Sequence, residues 1–135
     1  MTNGFSGRYG YAIWKDNSSN IQIFRSIDFG VNWSATTGAF GAAGVNELPK
    51  ITTDNSGRYV YATFSDASGD IKIFYSLDFG VTWADAGSFD SGLFPKIVTD
   101  DSGRYIYGSW QATPLVLTRG FRSFFPITNM KDRKI

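Results

Sequence analysis

Apolar and polar residues alternate along short stretches of this chain, and turn-forming residues separate the stretches. Alternation with a period of two, bounded by Gly, Asn and Asp, predicts β-strands joined by tight turns. No helical period of useful length occurs, so we predict an all-β chain. Four predicted strands follow one another in the most regular region, at residues 50–54, 58–65, 71–77 and 82–85.

The second of these strands has large or apolar residues on both faces. Tyr59, Tyr61 and Thr63 lie on one face, and residues 60, 62 and 64 (Val, Ala and Phe) lie on the other. A half-solvated antiparallel strand would instead alternate apolar with charged residues. The pattern therefore predicts a sheet that is packed against a neighbour on each side.

The chain also repeats itself. Ser-Gly-Arg-Tyr begins at residues 6, 56 and 102, and residues 6–33 match residues 56–83 at seventeen of twenty-eight positions. Repeats with a period of 20–50 residues indicate stacked supersecondary units. The third unit diverges near residue 123, where Phe-Phe-Pro-Ile replaces the Asp and Gly of the earlier copies.

Repeated units of four antiparallel strands predict β-propeller blades, in which each sheet stacks face to face on the next. A β-sandwich is the alternative, but its strands need not repeat in sequence. We expect one repeat domain over residues 1–135, with a partial first blade at 1–38, a second blade at 39–88 and a partial, degenerate third blade at 89–135.

The predicted blades are too few to close a ring. We expect three strands in the first blade, four in the second and two or three in the third, about 2.5 to 3 blades in all, whereas closed propellers have at least four. Terminal sheets left in water would expose apolar faces, at a cost of about 25 cal/mol per Å². We therefore expect a homo-oligomer in which copies complete a ring; a piece of a longer protein is the competing explanation.

A turn motif, Ser-x-Asp-x-Gly-x-x-Trp, occurs in the first and second units. It resembles the Asp-box, or BNR, motif of sialidases and many other β-propeller proteins. Asn32 of the first copy departs from the usual Thr, which the second copy has. The resemblance implies a structural hairpin between the outer strands of a blade, away from any active site. The matching residues are Ser26, Asp28, Gly30, Trp33, Ser76, Asp78, Gly80 and Trp83.

Composition removes many kinds of chemistry. The chain has no Cys and no His, which excludes thiol catalysis, Ser-His-Asp triads and zinc sites of the Cys/His kind. A sialidase-like hydrolase would need an arginine cluster for the substrate carboxylate and a Tyr paired with a Glu, yet Glu47 is the only glutamate and lies in a Gly/Ala-rich linker. We therefore name no catalytic residue, metal site or cofactor.

Two sets of residues are candidates for ligand binding, each with a structural alternative. The arginines recur after each Ser-Gly turn, which suits a carboxylate-binding triad but also follows from repetition alone. The aromatic residues suit stacking on a sugar, but in a blade such residues more often belong to the core. The candidates are Arg8, Arg58, Arg104, Tyr59, Trp14 and Trp110.

Two functions remain open. The first is a non-catalytic propeller that binds a glycan or protein, with specificity in the loops at 37–47 and 87–93 that join the blades. The second is a subunit or fragment of a sialidase-like glycoside hydrolase. The net charge of +1 argues against nucleic acid, and no apolar run is long enough for a membrane span. Without a signal peptide in the chain, the compartment stays open between the cytoplasm and export after processing.

Overall fold

The fold is built from antiparallel β-strands, with no helix among the residues described. The computed structural model describes residues 2–3, 7–44, 47–112, 118–124 and 131–134. Within them, no helix is long and apolar enough to cross a membrane. The strands are β1 (Thr2–Asn3), β2 (Gly10–Lys15), β3 (Ile21–Ser26), β4 (Ser34–Ala35), β5 (Lys50–Thr53), β6 (Val60–Ser65), β7 (Asp70–Ser76), β8 (Ala84–Thr99), β9 (Tyr105–Ala112), β10 (Thr118–Phe124) and β11 (Lys131–Lys134).

The strands form three groups of four, each a meander of antiparallel neighbours. The first sheet has the order β1-β2-β3-β4, and the remaining strands pair in chain order from β5 to β11. The long strand β8 belongs to two groups, because it pairs with β7 as far as Ser91 and with β9 from Gly92 onward. We call β5–β7 with residues 84–91 the second sheet, and residues 92–99 with β9–β11 the third sheet. The predicted all-β chain of four-stranded units is confirmed.

The strand counts of the first and third sheets correct the sequence-based expectation. The first sheet has a fourth strand, β1, which pairs with β2 through only two residues. In the third sheet β10 pairs with β9 at seven positions, and β11 pairs with β10, although the turn motif is lost there. Pairing of strands through the backbone does not require particular side chains, so the third sheet has these strands although the motif is absent from its sequence. The blade boundaries at residues 38 and 88 stay predictions, since β8 runs through the second without a break.

Strand β6 is buried along its whole length and packs on both sides, as its sequence predicts. On one side Ala62 and Phe64 join a cluster that contains Ile21 and Ile23 of the first sheet. On the other side Tyr61 packs with residues 97, 106 and 110 of the third sheet. The core therefore consists of two layers, each lying between neighbouring sheets.

A tyrosine hydroxyl crosses each of these layers. Tyr11 of the first sheet donates to the carbonyl of Gly57 in the second at 2.6 Å, and Tyr61 of the second sheet donates to the carbonyl of Gly103 in the third at 2.6 Å. Burial raises the pKa of both tyrosines. The phenols therefore remain protonated donors throughout the physiological pH range.

The acceptor positions require glycine. Gly57 and Gly103 have φ values of +79° and +70°, a conformation that L side chains rarely adopt. A Cβ at Gly57 would lie 2.7 Å from Cβ of Tyr9, and one at Gly103 would lie 2.7 Å from the ring of Tyr59. The second and third Ser-Gly-Arg-Tyr turns are thus the surfaces against which the tyrosines of the preceding sheet pack.

We predict that Tyr61→Phe lowers the free energy of unfolding by about 1–3 kcal/mol, because the buried carbonyl of Gly103 loses its donor. Urea denaturation at a fixed protein concentration measures the change. Tyr75→Phe is the matched control, since the Tyr75 ring packs against the same cluster and its hydroxyl bonds to no described residue. Equal losses in the two variants would show that the hydrogen bond contributes nothing.

Candidate functional site

The Ser-x-Asp-x-Gly-x-x-Trp turn of the first sheet closes on itself through hydrogen bonds. Ser26 Oγ donates to Asp28 Oδ1 at 2.8 Å and accepts the Gly30 N–H at 2.9 Å. Asp28 Oδ1 also accepts the Asn32 N–H at 2.9 Å, and Trp33 Nε1 donates to the Gly30 carbonyl at 3.0 Å. The turn of the second sheet repeats the pattern with Ser76, Asp78, Gly80, Thr82 and Trp83.

These hydrogen bonds favour the charged form of both aspartates. The Asn32 backbone N–H, followed by the Asn32 side chain and Ser26, lowers the pKa of Asp28. At Asp78 partial burial works in the opposite direction, but donors from Thr82 and Ser76 outweigh it, so the pKa of Asp78 is lowered as well. Each carboxylate is engaged by donors of its own turn, and the scaffold role that the sequence suggests for it stays a prediction.

The three recurring arginines lie at the same end of the sheets as these turns. Arg8 Nε donates to the carbonyl of Ile27 at 3.3 Å, and Arg58 Nε donates to the carbonyl of Leu77 at 3.1 Å. The Arg58 guanidinium also lies over the ring of Tyr59, 5.4 Å from its centroid. Arg104 occupies the corresponding position before β9 and is exposed. Arg8 thus connects two turns of the first sheet, and Arg58 connects two turns of the second. Carboxylate binding by these arginines stays a prediction.

The two candidate tryptophans lie near the ends of their strands that are farther from the arginines. Trp14 is 39% exposed near the end of β2 and packs on Phe24, with ring centroids 4.8 Å apart. Trp110 is buried at the corresponding position of β9, and its Nε1 donates to Asp90 Oδ2 at 3.1 Å. The structure therefore does not gather the arginines, Tyr59 and the tryptophans into one site.

Two oxygen-rich turns between the second and third strands of their sheets are closed by their own backbone. Asp16 Oδ1 accepts the N–H groups of Ser18 and Asn20, and Asp66 Oδ1 accepts those of Ser68 and Asp70. The Asn20 N–H in particular lowers the pKa of Asp16. No group of three or more metal-ligating side chains occurs in the part of the chain that the structure describes.

A groove of about 370 Å³ lies beside one of these turns, where residues 36–49 link the first sheet to the second. Phe40 of this link forms its floor with Phe74, and the two rings meet edge to face at 5.3 Å between centroids. Short side chains leave the space above them open. We call it the Phe40 groove; it is lined by Ala39, Phe40, Gly41, Ala42, Asp66, Ala67, Ser68, Lys72, Phe74 and Asp85.

Backbone hydrogen bonds hold the link that forms one wall of the Phe40 groove. The Gly41 carbonyl accepts the N–H of Ile21 at 2.9 Å, and the Ala42 carbonyl accepts that of Ala67 at 3.1 Å. The link therefore pairs with the first sheet on one side and the second on the other. The groove lies at the junction of two sheets, beside the loop at residues 37–47, one of the two loops in which the sequence predicts ligand specificity.

Charged groups line the mouth of the Phe40 groove. Lys72 Nζ lies 2.9 Å from Asp85 Oδ2, with the two side chains 20% and 44% exposed. The same ammonium lies 5.9 Å from the centroid of the Phe74 ring. The lining thus combines an ammonium and a carboxylate with Ala39 and Ala67, an arrangement that suits a small polar ligand with one apolar face.

Glu47 is a buried charged residue whose position the sequence did not reveal. It is 2% exposed, and its Oε2 accepts the N–H of Phe94 at 3.1 Å. Phe94 has a φ of +55°, so this contact fixes an unusual backbone conformation at the point where the third sheet begins. The sequence signal is a difference in length, because the link from Trp33 to Leu48 is four residues longer than the link from Trp83 to Phe94.

Solved structures that resemble this chain are β-propeller proteins. A fucose lectin from Kordia zhangzhouensis, solved with methyl-fucoside, matches with a TM-score of 0.69 at 12% identity, over 97% of this chain and 95% of the lectin chain. The chain has a β-propeller fold. Since a closed propeller needs at least four blades, the three sheets of one copy form an incomplete ring.

Two further propellers match over a smaller share of their own length. One is a chain of a nidogen/laminin complex, with a TM-score of 0.61 at 19% identity over 97% of this chain and 45% of that one. The other is the NanB sialidase of Streptococcus pneumoniae, with a TM-score of 0.56 at 14% identity over 93% of this chain and 22% of the sialidase. At these identities the likeness shows the fold alone. No protein-family model matches the sequence, and no curated protein sequence does either.

We predict that Asp78→Asn lowers the melting temperature at pH 7 by about 2–6 °C, because the turn loses its charged acceptor. The pKa of Asp78 is lower in the folded state, so its stabilisation is present above the unfolded pKa of about 3.9 and is lost as the pH falls through the folded pKa. The difference between variant and wild type should therefore shrink below about pH 4.

Thermal melts at about pH 7, 5, 4 and 3 measure this difference. Asp101→Asn is the control, because Asp101 is exposed and its side chain makes no hydrogen bond to a described residue. It should leave the melting temperature unchanged. A difference at Asp78 that stays constant down to pH 3 would contradict the assigned role of its charge.

Proposed function

We propose that the chain is a non-catalytic Asp-box propeller protein that binds a neutral sugar in the Phe40 groove, and that copies of it assemble into a closed ring. The observation that carries the proposal is the groove itself, whose lining combines the Lys72–Asp85 ion pair with three alanines. Sugars present hydroxyls and an apolar C–H face together, so they match such a lining. The likeness to a fucose lectin of nearly the same chain length supports a sugar as the ligand.

The charges of the Phe40 groove support binding rather than hydrolysis. A glycoside hydrolase needs one carboxyl group to donate a proton and another to act as nucleophile or base. In the groove Asp85 pairs with Lys72, and Asp66 Oδ1 accepts two N–H groups of its turn. These carboxylates are engaged in holding the groove together. A sialidase-like activity stays the alternative, supported by the likeness to a sialidase fold.

Titration calorimetry with methyl-fucoside and a panel of other methyl glycosides tests the proposal. We expect a dissociation constant in the micromolar to low millimolar range, and we expect Lys72→Met to weaken binding at least about tenfold, the effect of losing one charge-assisted hydrogen bond. Lys50→Met is the matched control, because Lys50 is an exposed lysine on β5 that does not line the groove.

Two results would overturn the proposed function, and a third would overturn the proposed site. One is the absence of binding to every glycoside at about 10 mM, a concentration that detects even weak sites. The other is turnover of a fluorogenic sialoside that Arg58→Ala or Tyr59→Phe abolishes, which would make the chain part of a hydrolase. Equal weakening by Lys72→Met and Lys50→Met would show that the sugar binds elsewhere.

A further inference from the structure

The two contacts between neighbouring sheets follow one rule, and the rule leaves two surfaces of the chain without a partner among the described residues. The second tyrosine of Ser-Gly-Arg-Tyr-x-Tyr in one sheet donates to the glycine carbonyl of the same motif in the next. The third sheet has the donor, Tyr107, and no described strands form a sheet beyond it. The first sheet has the acceptor, Gly7, and no described strands form a sheet before it.

The third sheet exposes the face that is buried in the other two. Tyr107 is 45% exposed, whereas its counterparts Tyr11 and Tyr61 are 0% exposed. Tyr105 and Val98 stand beside Tyr107 at 39% and 58% exposure. A groove of about 300 Å³ runs along this face, between Lys96 and Ser109. Isolated apolar residues are common on surfaces, but a contiguous set of this kind marks an interaction site.

The first sheet exposes the complementary surface. A Cβ at Gly7 would meet no described atom within 4 Å, although a Cβ at Gly57 or Gly103 would collide with a tyrosine of the preceding sheet. Phe29 is 70% exposed. Its counterpart Phe79 packs on the ring of Tyr9 in the preceding sheet, with centroids 4.6 Å apart.

The glycine of the turn motif follows the same pattern. A Cβ at Gly80 would lie 2.8 Å from the ring of Tyr11, because the second turn rests on the first sheet. At Gly30 the nearest atom lies 3.9 Å away and belongs to Trp33 of the same turn. The turn of the first sheet therefore has the shape that receives a tyrosine ring, with none in place.

We propose that the Tyr107 face of the third sheet docks on the Gly7 and Phe29 surface of a second copy of this chain. In this interface Tyr107 Oη donates to the carbonyl of Gly7, and Tyr105 packs on Phe29. The inference rests on the proposed ring and identifies the contact between its copies. We call this contact the joint. Its occupant is a second copy because the chain itself carries both halves of a contact that it makes twice internally.

The number of blades sets the number of copies. Two copies supply six four-stranded sheets, three from each, which lies within the range of four to eight blades in known propellers. Three copies would supply nine, which exceeds it. A head-to-tail contact between identical chains closes into a ring when the rotation permits. The ring therefore contains two copies and two identical joints.

Light scattering after size exclusion, with native mass spectrometry, tests the joint. For the wild type we expect a species of about twice the chain mass of 14.9 kDa. Tyr107→Phe removes one hydrogen bond at each joint and should raise the dissociation constant of the dimer about tenfold or more. Circular dichroism at low concentration should remain unchanged, since Tyr107 is exposed within one chain.

Gly7→Asn is the sharper variant. Asn tolerates a positive φ, and Gly7 has a φ of +72°, so the single chain should fold normally. At the joint, however, the added side chain meets the tyrosines of the other copy, and the dimer should give way to monomer. Gly69→Asn is the matched control: Gly69 has a φ of +83° and nothing within 4 Å of a built Cβ, and it lies at the other end of the sheets.

Three outcomes would overturn the proposed joint. They are a wild-type monomer at all micromolar concentrations, a dimer that Tyr107→Phe and Gly7→Asn leave intact, and a mass that grows without limit as concentration rises. The test does not depend on sugar binding. A monomer that binds methyl-fucoside would contradict the joint but not the sugar site. A dimer that Tyr107→Phe and Gly7→Asn weaken, but that binds no glycoside, would contradict the sugar site but not the joint.

Discussion

The architecture of this protein depends on a strand that is buried on both faces. Strand β6 packs against the first sheet on one side and the third on the other. A sheet of this chain therefore needs its neighbours to bury its apolar faces. Each layer is closed by the same pair of groups, a tyrosine hydroxyl and a glycine carbonyl 2.6 Å away. A stack of such sheets either closes into a ring or leaves an apolar face exposed at each end. Tyr107 and Phe29 are exposed because they lie on these end faces.

Much of the fold can be read from the sequence because the sequence repeats. The two-faced pattern of residues 59–64 predicts the burial of β6, and the repeated turns predict the four strands of the second sheet. Strands that backbone pairing holds without a side-chain pattern were not predictable in the same way. The two-residue strand β1 and the last strand, β11, belong to this class. Their positions depend on a neighbour in space rather than on residues beside them in sequence.

The candidate site was less accessible to sequence reasoning. The loop at residues 37–47 could be predicted to bind a ligand because it differs between copies. The residues that it contacts could not be predicted. Phe40 meets Phe74 and Trp83 from a Gly/Ala-rich stretch that has no pattern of its own. Lys72 and Asp85 form an ion pair across two strands whose register shifts between them, so sequence spacing does not foretell their approach. The burial of Glu47 likewise depends on Phe94, far along the chain.

The two junctions between sheets are built differently, and this has a mechanical consequence. Strand β8 passes from the second sheet into the third while remaining paired throughout most of its length, so bending there would break ladder hydrogen bonds. The first junction is the link at residues 36–49, whose described residues form isolated bridges at Ala42 and Ala43 rather than a continuous strand. We therefore expect a change in the angle between sheets to occur at the link that also walls the Phe40 groove rather than along β8.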